Sequence, residues 1–215
     1  MRHKFLPSFV QRKGRITKYQ EKNLLSLPDY EISSFLEIQK AKNNFNKVIL
    51  EIGFGNGENV FKFANNNREN LYIGSEVYMA GIGQLLGGVI DNDLNNLKIV
   101  TGDIRLLLDE VREPIFDHVV IICPDPWPKL KHHKRRMLNG NFLNLIHKTI
   151  KDDGHLFMST DWENYAESIE EAINQNEGFV KVKDSIYMEA SLTKFQQRAV
   201  KEGRKIYPFP LKKVS

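Results

Sequence analysis

Val48-Ile49-Leu50-Glu51-Ile52-Gly53-Phe54-Gly55-Asn56-Gly57-Glu58 decides how the rest of the chain reads. Val48 to Ile52 is a short apolar run, the pattern of a strand buried on both faces. The glycines lie where a strand turns sharply into a helix and where a ligand can approach the backbone. From Glu58 to Asn67, Val60, Phe61 and Ala64 share one helical face. The alternation continues downstream. Leu71 to Gly74 is a second strand ending at Ser75-Glu76, and Met79 to Ile90 reads as a helix despite its glycines. Leu97 to Thr101 is a third strand ending at Gly102-Asp103, followed by a short helix from Ile104 to Val111. His118 to Ile122 is a fourth strand, and a helix is predicted from about Gly140 to Lys151. Asp153-Gly154 is a turn before a fifth strand, His155 to Ser159, and a helix opens at Asp161-Trp162-Glu163 and runs to about Asn174. Shorter strands are predicted at Phe179–Val182 and Ile186–Met188. This repeating order requires parallel strands joined by right-handed crossovers. The predicted fold is therefore α/β, with a doubly wound, mostly parallel, Rossmann-like sheet. The Asn-rich patches at 43–44, 65–67 and 95–96 read as loops.

At 215 residues the chain is long enough for one sizeable core. We expect a basic arm over residues 1–22 and a single domain over 23–215. With 41% hydrophobic and 27% charged residues it is too apolar for a disordered chain. Its longest apolar run, Val119 to Cys123, is far too short for a membrane span, and the N-terminus lacks an apolar signal-peptide core. Cys123 is the one cysteine, so no internal disulfide forms. The expected location is the cytoplasm, with no membrane partner.

Charge is distributed unevenly. Residues 1–22 and residues 194–215 each hold seven Lys/Arg against one Glu. With a net charge of +4, the stretch between them is left at −8. Within that acidic middle, Lys129-Leu-Lys-His-His-Lys-Arg-Arg136 carries five positive charges and no acid. Three basic segments on an acidic body suit a polyphosphate partner.

The glycine turn is not a dinucleotide fingerprint. The position that motif reserves for its third glycine is Glu58, and a carboxylate at a helix N-terminus opposes a pyrophosphate. A P-loop is excluded because no Gly-Lys-Ser/Thr follows. Acids at the ends of three strands suit a ligand that lacks phosphates and carries positive charge. S-adenosyl-L-methionine, with its sulfonium and ammonium, has that chemistry. Glu51, Gly53 and Gly55 would cradle it, Glu76 would accept from ribose hydroxyls, and Asp103 would lie near the adenine amino group or cap the following helix.

After the fourth strand comes Cys123-Pro124-Asp125-Pro126-Trp127-Pro128-Lys129. Prolines on both sides of Asp125 restrict its direction. Trp127 offers a flat face for a base, and Lys129 with residues 131–136 offers charge for a backbone.

LEIGFGNGE, Glu76, Gly102-Asp103, PDPWPK followed by KHHKRR, Ser159-Thr-Asp-Trp-Glu163 and Thr193-Lys-Phe195 together resemble the bacterial tRNA (guanine-N7-)-methyltransferase family. The N-terminal Ser8-Phe-Val-Gln-Arg-Lys-Gly-Arg15 resembles that family's basic arm, so the likeness runs over about residues 8–210. It implies methyl transfer from S-adenosylmethionine to N7 of a guanosine at position 46, in the tRNA variable loop. It further implies that Glu51, Gly53, Gly55, Glu76, Asp103 and Asp125 line the cofactor site, with Asp125 also the active-site acid. Lys129, Asp161, Thr193, Lys194, Phe195 and Gln196 would contact substrate. Lys131, His132, His133, Lys134, Arg135 and Arg136 would contact RNA. The family usually has Thr-Lys-Phe-Glu where this chain has Gln196.

N7 of neutral guanine carries a free lone pair, so no proton must be removed before transfer. The base gains positive charge instead, which a fixed carboxylate stabilises. Asp125 is the first candidate. Asp161 is the second, as an acceptor for guanine N1–H or as the N-cap of the following helix. The guanosine is expected to leave its stack, with Trp127 or Tyr165 as platforms. No metal site is predicted, since His132-His133 lack ligand partners at the required spacing. A monomer or a homodimer would each suit this reading. Two alternatives are a methyltransferase of another RNA or small molecule, and a non-catalytic RNA-binding module on the same fold.

Overall fold

The computed structural model describes residues 4–10, 14–183, 185, 187 and 193–214, without the side chains of 194 and 195. Residues 186 and 188 of the strand predicted at Ile186–Met188, and residues 1–3 and 11–13 of the basic arm, lie outside the described residues, and Tyr187 stands in a turn. The chain forms two compact units, Gln11–Glu110 and Met1–Val10 with Val111–Ser215.

The first unit holds helices α1 (Lys18–Leu24), α2 (Leu27–Tyr30) and α3 (Phe35–Lys42), then β1 (Val48–Ile52), α4 (Glu58–Asn66), β2 (Leu71–Glu76), α5 (Met79–Asp91), β3 (Leu97–Thr101) and α6 (Ile104–Glu110). The strands run parallel in the order β3-β2-β1. All five residues of β1 are buried, four of them apolar and the fifth Glu51. Leu50, Ile73 and Ile99 of the sheet and Ile82 and Leu86 of α5 are all fully buried. Beyond β3, Ile32 N–H donates to the Ile99 carbonyl at 2.8 Å, so the edge of that strand is covered.

Helices α1 and α3 escaped the periodicity reading. Each opens on a capping box, Thr17 with Gln20 and Ser34 with Glu37, which satisfies two otherwise orphaned N–H groups. The glycines of α5 are where neighbours come closest. A Cβ on Gly81 would collide with the Gly55 carbonyl, and one on Gly83 with the Gln20 carbonyl of α1. One Asn-rich loop has a structural purpose: Asn96 is wholly buried, and its Nδ2 lies within 2.9–3.2 Å of the carbonyls of Ala64, Asn67 and Asn70.

The second unit holds β4 (Phe116–Ile122), a 3-10 helix (Leu130–Arg135), α7 (Gly140–Thr149), β5 (Ile150–Thr160), α8 (Glu163–Asn174), β6 (Phe179–Lys181), α9 (Lys194–Lys201) and β7 (Tyr207–Lys213). β4 and β5 are parallel; β7 pairs antiparallel with both β5 and β6. The register passes from Phe116↔Ile150 to His118↔His155, so the predicted Asp153-Gly154 turn interrupts β5, with Asp153 at φ 61°.

β7 was not predicted because it contains Pro208 and Pro210. Pro210 accepts from Val182 N–H, and N and O of one strand residue point to the same side. The absent N–H groups of Pro208 and Pro210 therefore face the β6 side, not the β5 ladder, and β6 pairs only with residues 211–213.

Candidate active site

Each unit carries part of the residue set singled out above. In the first, β1 delivers Glu51 into a site where only 5% of it stays exposed. Its Oε2 accepts from Asn59 Nδ2 at 3.1 Å. Burial pushes its carboxyl up to about 8, against the opposing pull of the Asn59 hydrogen bond. Gly53, Gly55 and Gly57 follow at φ 73°, 62° and 79°, left-handed conformations that favour glycine. A Cβ on Gly53 would meet nothing within 4 Å, and the same is true of Gly102 at the end of β3. Both turns thus present open backbone beside a carboxylate.

Glu76, expected at the ribose hydroxyls, is held by backbone N–H groups. Its Oε2 accepts from Gly55 N–H at 2.7 Å, and its Oε1 from Val77 and Tyr78 N–H at 2.7 and 3.0 Å. The carboxylate ties the glycine loop to the end of β2. Asp103 accepts from Arg105 Nε at 2.9 Å and Nη2 at 2.6 Å, and from the Arg105 backbone N–H at 3.2 Å. The helix-capping role is therefore present, along with an ion pair to Arg105 that nothing in the spacing announced.

In the second unit, Asp125 is half-buried between its prolines. Trp127 is 9% exposed; its indole N–H donates to the Ser8 carbonyl at 3.0 Å, and the Arg135 guanidinium lies 3.9 Å from the ring centroid. Tyr165 is fully buried, with its hydroxyl accepting from Leu138 N–H at 2.8 Å. Neither ring offers the free stacking face expected of it, because both are buried and a guanidinium lies over each, Arg135 over Trp127 and Arg136 over Tyr165.

The basic run divides by direction. Lys129, Lys131 and Lys134 are exposed, and His132 and His133 are half-buried. Partial burial, then the cations of Lys131, Arg135, Lys129 and Lys134, hold the His132 imidazole below its ordinary value. His132 therefore adds little to the positive charge of the run at pH 7. Arg135 turns toward the N-terminal segment, donating to the Pro7 carbonyl at 2.9 Å and the Phe9 carbonyl at 3.5 Å. Arg136 corrects the expectation of an RNA contact: it is 6% exposed and bonded within the protein.

Asp161 pairs with Arg204, which also meets Glu202 at 2.6 Å. The N-cap of α8 is Trp162, so Asp161 is not the cap. Burial first, and the Asp161 charge second, push the Cys123 thiol up to about 12, so it is no nucleophile at neutral pH. Thr193 and Gln196 form the capping box of α9: Gln196 N–H donates to Thr193 Oγ1 at 3.3 Å, and Thr193 N–H to Gln196 Oε1 at 3.0 Å. This explains the departure at 196, since glutamine and glutamate both supply the acceptor oxygen that the box needs. Lys194 and Phe195 begin α9, with side chains outside the described residues. Arg105, Arg204, Asn59 and the Pro7–Phe9 carbonyls were all missed; only the Thr-x-x-Gln spacing of the cap was there to be found. Among the described residues no cluster of His, Cys, Asp or Glu could hold a metal ion, and no helix is long and apolar enough to cross a membrane.

Comparison with known proteins follows the same lines. The profile of a family described as putative methyltransferase matches residues 45–209. A tRNA (guanine-N(7)-)-methyltransferase of Nitrosococcus oceani is 36% identical over 214 residues, covering 97% of this chain and 91% of its own. One from Wolbachia pipientis wMel is 37% identical over 181 residues, 84% of this chain and 81% of its own. Among solved structures, the 16S rRNA methyltransferase KamB aligns with a TM-score of 0.61 at 13% identity, covering 86% of this chain and 95% of that one. A 30S ribosomal A1408 methyltransferase from an uncultured bacterium aligns at 0.60 and 18%, covering 85% and 95%. These two share the fold, a mostly parallel α/β architecture of Rossmann type.

Proposed function

The chain belongs to the tRNA (guanine-N(7)-)-methyltransferase family, and we propose that it methylates guanosine 46 in the tRNA variable loop, in the cytoplasm. It transfers a methyl group from S-adenosylmethionine to N7 of a guanine in tRNA. The observation that carries the site assignment is Glu51, a buried carboxyl whose hydrogen-bond partner is the neutral Asn59 amide, beside the open glycine turn. A carboxyl that burial holds neutral can release its proton to pair with a cationic ligand and offers a phosphate no positive partner, so the residues present fit this cofactor. Glu51, Gly53, Gly55, Glu76 and Asp103 would hold it. When bound, it supplies the methyl group on a sulfonium.

The remaining work falls to the chain's own side chains. N7 needs no general base, so Asp125 serves by stabilising the positive charge that grows on the purine. A fixed carboxylate does this more strongly in the transition state than in the ground state. Asp161, oriented by Arg204, keeps lone pairs for the guanine N1–H and amino group. Lys129, Lys131 and Lys134 take the phosphate backbone, with His132 and His133 beside them and Arg135 at the inner end of the strip. Thr193 and Gln196 set the start of α9, from which Lys194 and Phe195 meet the substrate.

The test is methylation of unmodified tRNA with labelled cofactor, followed by mapping of the modified nucleotide. A 7-methylguanosine confined to position 46 is the expected product. Label at another position of the tRNA would refute the site choice, and label absent from tRNA the function itself.

A further inference from the structure

Arg136 stands in a solvent-facing basic run, yet its own guanidinium is turned into the protein. Nε donates to the Pro126 carbonyl at 2.9 Å. Nη1 reaches the Asn164 carbonyl and Ser168 Oγ, both at 3.3 Å, and Nη2 donates to Asn164 Oδ1 at 3.0 Å. The group lies 4.8 Å from the ring centroid of Tyr165. Every one of these acceptors is neutral. Burying a cation without a carboxylate is unfavourable, and burial lowers the guanidinium pKa accordingly. An arrangement that costs this much and uses all sides of a planar fork holds a geometry.

What it holds is strained. Cys123 and Trp127 bracket Pro124-Asp125-Pro126 at φ 47° and 46°, left-handed values that side chains disfavour. Each also precedes a proline, which restricts it further. Such conformations persist only where the surroundings over-determine them. At Cys123 the backbone N–H donates to the Ser159 carbonyl at 2.9 Å; at Trp127 Ser8 and Arg135 fix the ring. Between these anchors the proline rings remove two φ rotations, and the carbonyl that Arg136 grips is one residue beyond Asp125.

We propose that Arg136 is a positioning residue, which sets the direction of the Asp125 carboxylate through the Pro126 carbonyl and touches no phosphate. This rests on the reading of Asp125 as the charge-stabilising acid.

Arg136→Lys keeps the charge and removes the fork. We expect kcat at saturating tRNA and cofactor to fall tenfold or more, with the KM for tRNA and the salt slope of binding unchanged within twofold. Lys131→Gln, run in parallel, should weaken tRNA binding and flatten that slope. If Arg136→Lys does not fold, Asn164→Ala removes one acceptor from an exposed residue and should lower kcat about threefold, again without moving KM. In an Asp125→Asn background, Arg136→Lys should add no further loss, because it acts through the missing carboxylate. Multiplied losses in the double variant, a changed salt slope in Arg136→Lys, or wild-type kcat in both Arg136→Lys and Asn164→Ala would each overturn the inference. Near-normal turnover in Asp125→Asn alone would instead overturn the role given to Asp125.

Discussion

Glu51 makes the stability of this protein depend on pH in a direction unusual for a carboxylate. Its carboxyl stands at about 8 in the folded chain, against 4.5 in the open. Between those values the folded chain keeps a proton that the unfolded chain releases. The stabilising contribution of the neutral form is therefore fully present below pH 4.5, erodes as pH rises, and is gone above about pH 8. The whole difference corresponds to roughly 5 kcal/mol, which for a chain of this length is on the order of 10 °C in melting temperature. Glu51→Gln keeps an acceptor for Asn59 and cannot ionise. Thermal unfolding of both proteins should give similar midpoints at pH 5, with the variant pulling ahead steadily to pH 8 and the gap then constant. Calorimetry adds a second measure: wild-type affinity for S-adenosylmethionine should rise with pH over the same window, with release of a proton, and the variant should show neither. A melting gap that stays flat from pH 5 to pH 9 would refute the burial argument.

Other perturbations separate the remaining residues. Glu76→Gln replaces one acceptor with a donor facing backbone N–H groups, so cofactor affinity should fall tenfold or more while tRNA affinity holds; calorimetry and filter binding read the two. Lys131→Gln with Lys134→Gln should reduce the slope of log affinity against log salt by about 2, one for each lost phosphate contact. An unchanged slope would mean that these lysines face bulk solvent in the complex. Gln196→Glu preserves the capping box and should melt within about 1 °C of wild type, whereas Gln196→Ala should lose about 1 kcal/mol in denaturant titration.

The sequence by itself determined the α/β alternation and much of its punctuation. β1 and β3 have the predicted bounds, Val48–Ile52 and Leu97–Thr101, because short β-branched and apolar segments that end at glycine turns mark buried parallel strands. The glycine turn was legible because only glycine adopts positive φ at successive odd positions without strain. Asp125 stood out because prolines flank it on both sides. Tertiary structure decided the rest. β7 was hidden by Pro208 and Pro210, which a strand accepts only if their missing N–H groups face away from the ladder, and pairing alone determines that. Asp161 looked like a helix cap until Arg204, far along the chain, claimed it. Trp127 and Tyr165 looked like platforms, but aromatic side chains serve a core and a base equally well, and only their neighbours show which. The run from Lys129 to Arg136 makes the point most sharply. Composition counts its charges equally, while the fold sends the lysines outward and turns Arg136 inward onto a carbonyl, because a planar fork can be satisfied by neutral acceptors where an ammonium would rather stay in water.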